Sequence, residues 1–261
     1  MTDNLYPPSR PQTVGEILDT AFRIFRATLL KCLLFAAVSL LVGQLPNIYT
    51  LLRGRPLQRL ILAEPDPLWW LLELVGSVVV VGLTGAIVRR QYAIASGQPS
   101  SPVGELTAAA RLVPGFIAVS ILFALAIMVG LFLLVIPGLY VATRLSCAIT
   151  AYLLTGRGVF ASLSYSWRLT AGNFWRLTLI FSVYIVLIIV FYVLAGAIAT
   201  AVAVPFGLGD VALITAVTTA LAVILGSIVT PFYTALALAV FGDLSVRMEG
   251  TDLAARISSP V

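Results

Sequence analysis

"PGLYVATRLSCAITAYLL", residues 137–154, decides how the chain is read. It is bilayer-spanning sequence interrupted by one charge, Arg144. A helix needs about 20 apolar residues, at 1.5 Å each, to cross the hydrocarbon core. An arginine near the centre of such a helix costs about 2.5–3.5 kcal/mol on insertion scales. The run therefore predicts a spanning helix, and Arg144 within it marks a candidate site.

The rest of the chain agrees with that class. Of 261 residues, 60% are hydrophobic and only 10% are charged, with a mean hydropathy of +1.06. Soluble domains carry about 25% charged residues, enough to coat a surface facing water. This chain lacks that coat, so it reads as an all-α, polytopic bundle of about six transmembrane helices. Histidine is absent, which removes the commonest general base and metal ligand. The two cysteines, Cys32 and Cys147, lie in apolar runs and read as small buried hydrophobes. No metal, cofactor or nucleic-acid partner is expected, and no clustered nucleophile and base suggests an enzyme. The polar, Pro-rich N-terminus has no apolar segment behind a basic one, so no cleavable signal peptide is expected.

Six apolar runs are long enough to span: 29–50, 67–88, 115–136, from just after Pro137-Gly138 to Leu154, 177–204, and 211–244. The last is too long for one straight span; Gly226 and Pro231 offer a bend, which predicts one kinked helix, with a break into two pieces as the alternative. Basic residues between the runs divide unequally. Twelve fall on one side, from Arg10 to Arg256, and three on the other, Arg53, Arg55 and Arg59. The positive-inside rule then places both termini in the cytoplasm of a bacterial inner membrane. The loop at 51–66 opposes the rule locally and reads as an amphipathic segment on the outer surface.

Each segment that leads into a pair of spans has helical amphipathic spacing. In "TVGEILDTAFRIFRATL" from Thr13, Val14, Ile17, Leu18, Ala21, Phe22, Phe25 and Leu29 share one face. Thr13 and Glu16 match a capping box. "SPVGELTAAARLVPGF" repeats Val-Gly-Glu at residues 103–105, with Ser101 as N-cap and Pro102 first in the helix. "GVFASLSYSWRLTAGNF" supplies the third copy. The expected organisation is a polar tail at 1–12, one membrane domain at 13–246, and a C-terminal tail at 247–261. The domain divides into units 13–91, 101–156 and 158–246, each an interfacial helix plus two spans. Arg23, Arg26, Arg111 and Arg168 on these helices are candidate lipid headgroup contacts, at about 1 kcal/mol each. Glu73 and Arg144 lie about 9 and 8 Å into their spans, from the same side, which predicts an intramembrane ion pair.

Three stretches carry a family resemblance. "VIPGLYVATRLSCAITAYLLTGRGVFASLSYSWRLTAGNFWRL" (135–177) resembles the central signature of the bacterial glycerophosphodiester phosphodiesterase membrane-domain family and its uncharacterised multi-span relatives. Pro137, Gly138, Arg144, Ser166, Trp167 and Arg168 fall on that pattern. "FGDLSVRMEGTDL" (241–253) is similar to the family's ending, through Asp243, Arg247, Glu249, Gly250 and Asp252. "PQTVGEILDTAFRIFR" (11–26) is similar to its opening. Members named for the phosphodiesterase carry a separate catalytic domain with histidine and acidic metal ligands. That domain has no counterpart here, so the resemblance implies a membrane role and not the activity. Two functions follow from the residues. One is a non-catalytic protein that binds membrane lipid or a membrane-protein partner, a second copy included, in envelope homeostasis. The other is a small-solute transporter built on Glu73 and Arg144.

Overall fold

A computed structural model describes residues 5–53, 66–203 and 211–258. The outer-surface segment expected at 51–66 falls mostly outside them. Among the described residues the chain forms helices only: α1 (Val14–Gly43), α2 (Leu45–Leu52), α3 (Pro67–Ala95), α4 (Pro102–Leu133), α5 (Val135–Leu145), α6 (Ala148–Thr155), α7 (Val159–Leu169), α8 (Phe174–Ala203) and α9 (Val211–Ser258). Six spans long and apolar enough to cross a membrane result, α5 and α6 together making the fourth.

α1 is the hub and packs on α9 and α3. Its buried residues, Ile17, Thr20, Ala21, Ile24, Thr28, Cys32, Ala36 and Ser39, recur every three or four positions and make one stripe. The stripe meets Ala235, Leu236, Ala239 and Val240 of α9 and Ile87 of α3. Side chains outside it, such as Leu30, Leu34 and Leu41, are exposed. So are Trp70 and Leu74 on α3 and Leu133 to Ile136 at the α4–α5 turn. A surface this apolar suits lipid rather than water. The polar groups turn inward instead. Gln91 Nε2 donates to Pro231 O at 2.8 Å and to Thr28 Oγ1 at 3.3 Å, tying α3 to α9 and α1.

Several expectations change. The amphipathic segments at 13–29 and 101–116 are not separate interfacial helices. They are the first turns of α1 and α4; the apolar face of the first meets other helices, whereas Val103 and Leu106 of the second stay exposed. Only the third segment forms a helix of its own, α7. The predicted caps are present: Thr13 and Glu16 close a capping box, and Ser101 Oγ accepts from Gly104 N–H. The first span stops at Gly43, because Pro46 has no N–H for the next turn. The fourth span, expected to start just after Pro137-Gly138, starts at Val135, following Leu134, where the backbone is extended. Pro137 sits in the first turn of α5, where a missing N–H costs nothing. Gly138 lets α5 approach α4 closely. A Cβ added at Gly130 would lie 2.8 Å from the Gly138 Cα. The last run is one helix of 48 residues with Pro231 inside, and it continues through the boundary expected at 247.

Candidate functional site

The fourth span is broken where its arginine lies. α5 ends at Leu145 and α6 begins at Ala148. A break in a buried helix frees backbone groups that need partners. α7 supplies them. Ser166 Oγ donates to Arg144 O at 3.0 Å and accepts the Cys147 N–H at 3.2 Å. Thr170 Oγ1 donates to the same carbonyl at 2.9 Å. Spacing of four puts both hydroxyls on one face of α7, and both residues are fully buried. The Ser-Trp-Arg-Leu-Thr stretch thus caps a break about 20 residues earlier in the chain.

Trp167, between the two hydroxyls in sequence, covers the arginine itself. The Arg144 guanidinium lies 4.6 Å from the Trp167 ring centre and 5.8 Å from that of Tyr140, one turn back on α5. Phe174, at the start of α8, packs against Tyr140 at 5.4 Å. Arg144 is only 8% exposed. Among the described residues its guanidinium meets no carboxylate, and its Nε is buried without a hydrogen-bond partner. The expected pair with Glu73 is not formed. Glu73 is exposed on α3, which packs on α1, α2, α4, α6 and α9. α5 packs on α4, α7 and α8. The expected equal depth does not hold either: Arg144 lies beside the start of α8, at the end where the N-terminal segment meets Ala95, and Glu73 is in the second turn of α3, 22 residues from Ala95.

The start of α8 links this cluster to a second one. Thr178 Oγ1 lies 3.5 Å from Thr143 Oγ1. Two residues before it, Arg176 Nη1 donates to Asp243 Oδ2 at 2.8 Å. Arg247 Nε, one turn on from Asp243, donates to the same oxygen at 3.0 Å. Asp243 Oδ1 accepts the Gln12 backbone N–H at 2.6 Å. Both arginines also donate to Gln12 O. Asp243 is fully buried, so the two guanidinium groups and the amide replace its water. The expected polar tail is therefore a strap over its described part. Leu5 and Tyr6 donate to Ala95 O at 2.9 and 3.1 Å, and Tyr6 packs edge-on against Tyr92.

Motif reading singled out Asp243 and Arg247 but missed Arg176 and Gln12. Arg176 counted only as a loop charge, and Gln12 as tail. Their one signal was position, beside the Trp-Arg-Leu end and the Pro-Gln opening of the motif stretches. The side chain of Glu249 lies outside the described residues, and Gly250 has no neighbour that a Cβ would meet.

Arg23, Arg26, Arg111 and Arg168 are all exposed. None of the four joins an ion pair among the described residues. Arg90 differs, bound to Glu105 at 3.0 Å with both side chains nearly buried. An apolar cleft of about 170 Å³ opens between α1, α8 and α9. Phe22, Phe25, Tyr184, Ile188, Phe191 and Phe232 line it.

Residues 107–253 match the family model described as the membrane domain of glycerophosphoryl diester phosphodiesterase. The chain belongs to this family. The match contains Arg144, Ser166, Trp167, Thr170, Arg176, Asp243 and Arg247, which is both clusters except Gln12. A UPF0259 membrane protein of Photorhabdus laumondii is 28% identical over 101 residues, 39% of this chain and 38% of that protein. A UPF0259 membrane protein of Serratia proteamaculans is 30% identical over 118 residues, 45% of this chain and 46% of that protein. The matched stretch is thus under half the length of either relative. No solved structure matches the chain.

Proposed function

We propose that the protein is a non-catalytic integral protein of the bacterial inner membrane that holds anionic phospholipid at its arginine-rich end, in the service of envelope homeostasis. The observation that carries this reading is the contrast between two sets of arginines. Arg90, Arg176 and Arg247 are committed to buried carboxylates. Arg23, Arg26, Arg111 and Arg168 stand exposed without an acid. Four such groups near an anionic surface supply about 4 kcal/mol, roughly a thousandfold in association. The apolar cleft between α1, α8 and α9, lined by Phe22 and Phe25, gives an acyl chain somewhere to lie. The excess of arginine at this end supports a cytoplasmic location for it, and with it for both termini. The transporter reading loses its acidic half, because Glu73 stands apart from Arg144.

The test is native mass spectrometry of the protein released from nanodiscs of mixed phosphatidylcholine and phosphatidylglycerol. Wild type should emerge enriched in phosphatidylglycerol, and added salt should erode the enrichment. The variant Arg23→Gln/Arg26→Gln/Arg111→Gln/Arg168→Gln should emerge with lipid in the bulk ratio. Equal enrichment in both proteins would sink the proposal.

A further inference from the structure

Three charged side chains are buried among the described residues: Glu105, Arg144 and Asp243. Glu105 faces Arg90, and Asp243 faces Arg176 and Arg247. Arg144 alone faces no opposite charge. Arginine does not escape this cost by losing its proton. Two aromatic rings stabilise the cation, but through their faces. Ring faces accept no conventional hydrogen bond, the two rings meet edge-on at 5.9 Å and so leave part of the guanidinium uncovered, and its Nε is buried without a partner among the described residues. The nearest carbonyl, that of Arg144 itself, already takes two hydroxyls from α7.

The site is also built and open at its rim. Ser166 and Thr170 hold the backbone of the break in place, so the guanidinium is positioned rather than trailing. Trp167 and Tyr140 are 39% and 41% exposed, and neighbouring Trp175 is exposed too. Aromatic rings with a polar edge gather at the headgroup level of a membrane. A forked, permanently charged donor at that level matches the two oxygens of a phosphate group.

We infer that Arg144, held against Trp167 and Tyr140, is a stoichiometric binding site for a phosphate-type oxyanion, carried by a phospholipid headgroup or free in solution. This goes beyond the surface association proposed above, which rests on other arginines. It also accounts for the arginine in the fourth span: the unpaired charge is the recognition element.

The test uses full-length protein, stripped of lipid in a maltoside detergent that contains no phosphate. Thermal unfolding is followed while phosphatidylglycerol, phosphatidylcholine or inorganic phosphate is added. A ligand of the native state raises the midpoint saturably. Wild type should be stabilised. Arg144→Gln should bind roughly ten- to a hundredfold more weakly, as expected for loss of a charge-assisted contact. Without phosphate, Arg144→Gln should be as stable as wild type or more so, because it removes an unpaired buried charge. Arg144→Lys keeps the charge without the planar fork, gives a second comparison, and should fall between the two.

The arms separate the sources. Stabilisation by lipid alone assigns a headgroup, and stabilisation by inorganic phosphate as well assigns a soluble oxyanion. The four-arginine variant described above should respond like wild type, so failure of either reading shows independently of the other. The inference falls if no phosphate compound stabilises wild type. It falls equally if wild type, Arg144→Gln and Arg144→Lys respond alike.

Discussion

Asp243→Asn gives the sharpest test of how the arginine-rich end is held. The side chain is 0% exposed, and three groups converge on it: Arg176 at 2.8 Å, Arg247 at 3.0 Å and the Gln12 N–H at 2.6 Å. Asparagine keeps the shape and one acceptor for the amide. It removes the charge and turns a donor toward a guanidinium. Arg176, only 18% exposed at the side chain, is then left without its carboxylate. Breaking a buried pair from one side costs about 3–5 kcal/mol, since the remaining charge is stranded. Arg247→Ala offers the contrast. Its side chain is 34% exposed and Arg176 still neutralises the aspartate, so it should cost about 1 kcal/mol. Reversible unfolding in mixed micelles, followed by circular dichroism, measures both. Hydrogen exchange at residues 5–12 supplies a second readout, because Gln12 anchors the strap. Exchange there should accelerate in Asp243→Asn and change little in Arg247→Ala. A cost below about 1 kcal/mol for Asp243→Asn, or equal costs for the two variants, would refute the buried-network argument.

Three further outcomes follow from the packing. Ser166→Ala should cost about 1–3 kcal/mol in the same unfolding assay, because it orphans the Cys147 N–H and weakens the cap on Arg144 O. Thr170→Val should add less than its own single cost, since both hydroxyls serve one carbonyl. Gly130→Ala should destabilise by about 1–3 kcal/mol, because the added methyl meets α5 backbone. Gly196→Ala, with no neighbour within 4 Å of the new Cβ, should instead stabilise by about 0.4–1 kcal/mol. Glu105→Gln should be more destabilising than the double exchange Arg90→Met/Glu105→Leu, which removes both charges of a nearly buried pair.

Much of the fold was readable because it is local. Whether a stretch crosses a bilayer depends on the summed transfer free energy of its own 20 or so residues, and six such stretches stand out. Helix starts are local as well. Thr13 with Glu16, and Ser101 before Pro102, cap the helices that their spacing predicts. Locality misled in two places. Amphipathic spacing at 13–29 and 101–116 indicates an apolar face but not what covers it; helices cover that of 13–29, and neither segment is a helix separate from its span. The sequence places the start of the fourth span just after Pro137-Gly138, yet proline suits the first turn of a helix and glycine suits a close crossing, and the helix starts at Val135.

The candidate sites lie on the other side of that division. Arg144 stood out in the sequence because a charge among apolar residues is costly wherever it folds. Its surroundings did not, because depth along a span says nothing about which helices touch. Glu73 has the right sign but sits on the wrong helix and toward the opposite end of the bundle, about 33 Å of helix before Ala95, whereas Arg144 lies beside the start of α8 at the strap end. Trp167, Ser166 and Thr170 come instead from α7, and Gln12 reaches Asp243 across 231 residues of chain. The sequence by itself determined a membrane protein of six apolar spans, where most of its helices begin, and that one arginine needs explaining. Only the tertiary structure decided which groups surround that arginine, where the fourth span breaks, and that the N-terminal segment straps the bundle. The physical reason is that a helix in lipid satisfies its own backbone and is specified by its own residues. Side-chain partners between helices depend on which faces meet, and no single stretch of chain encodes that.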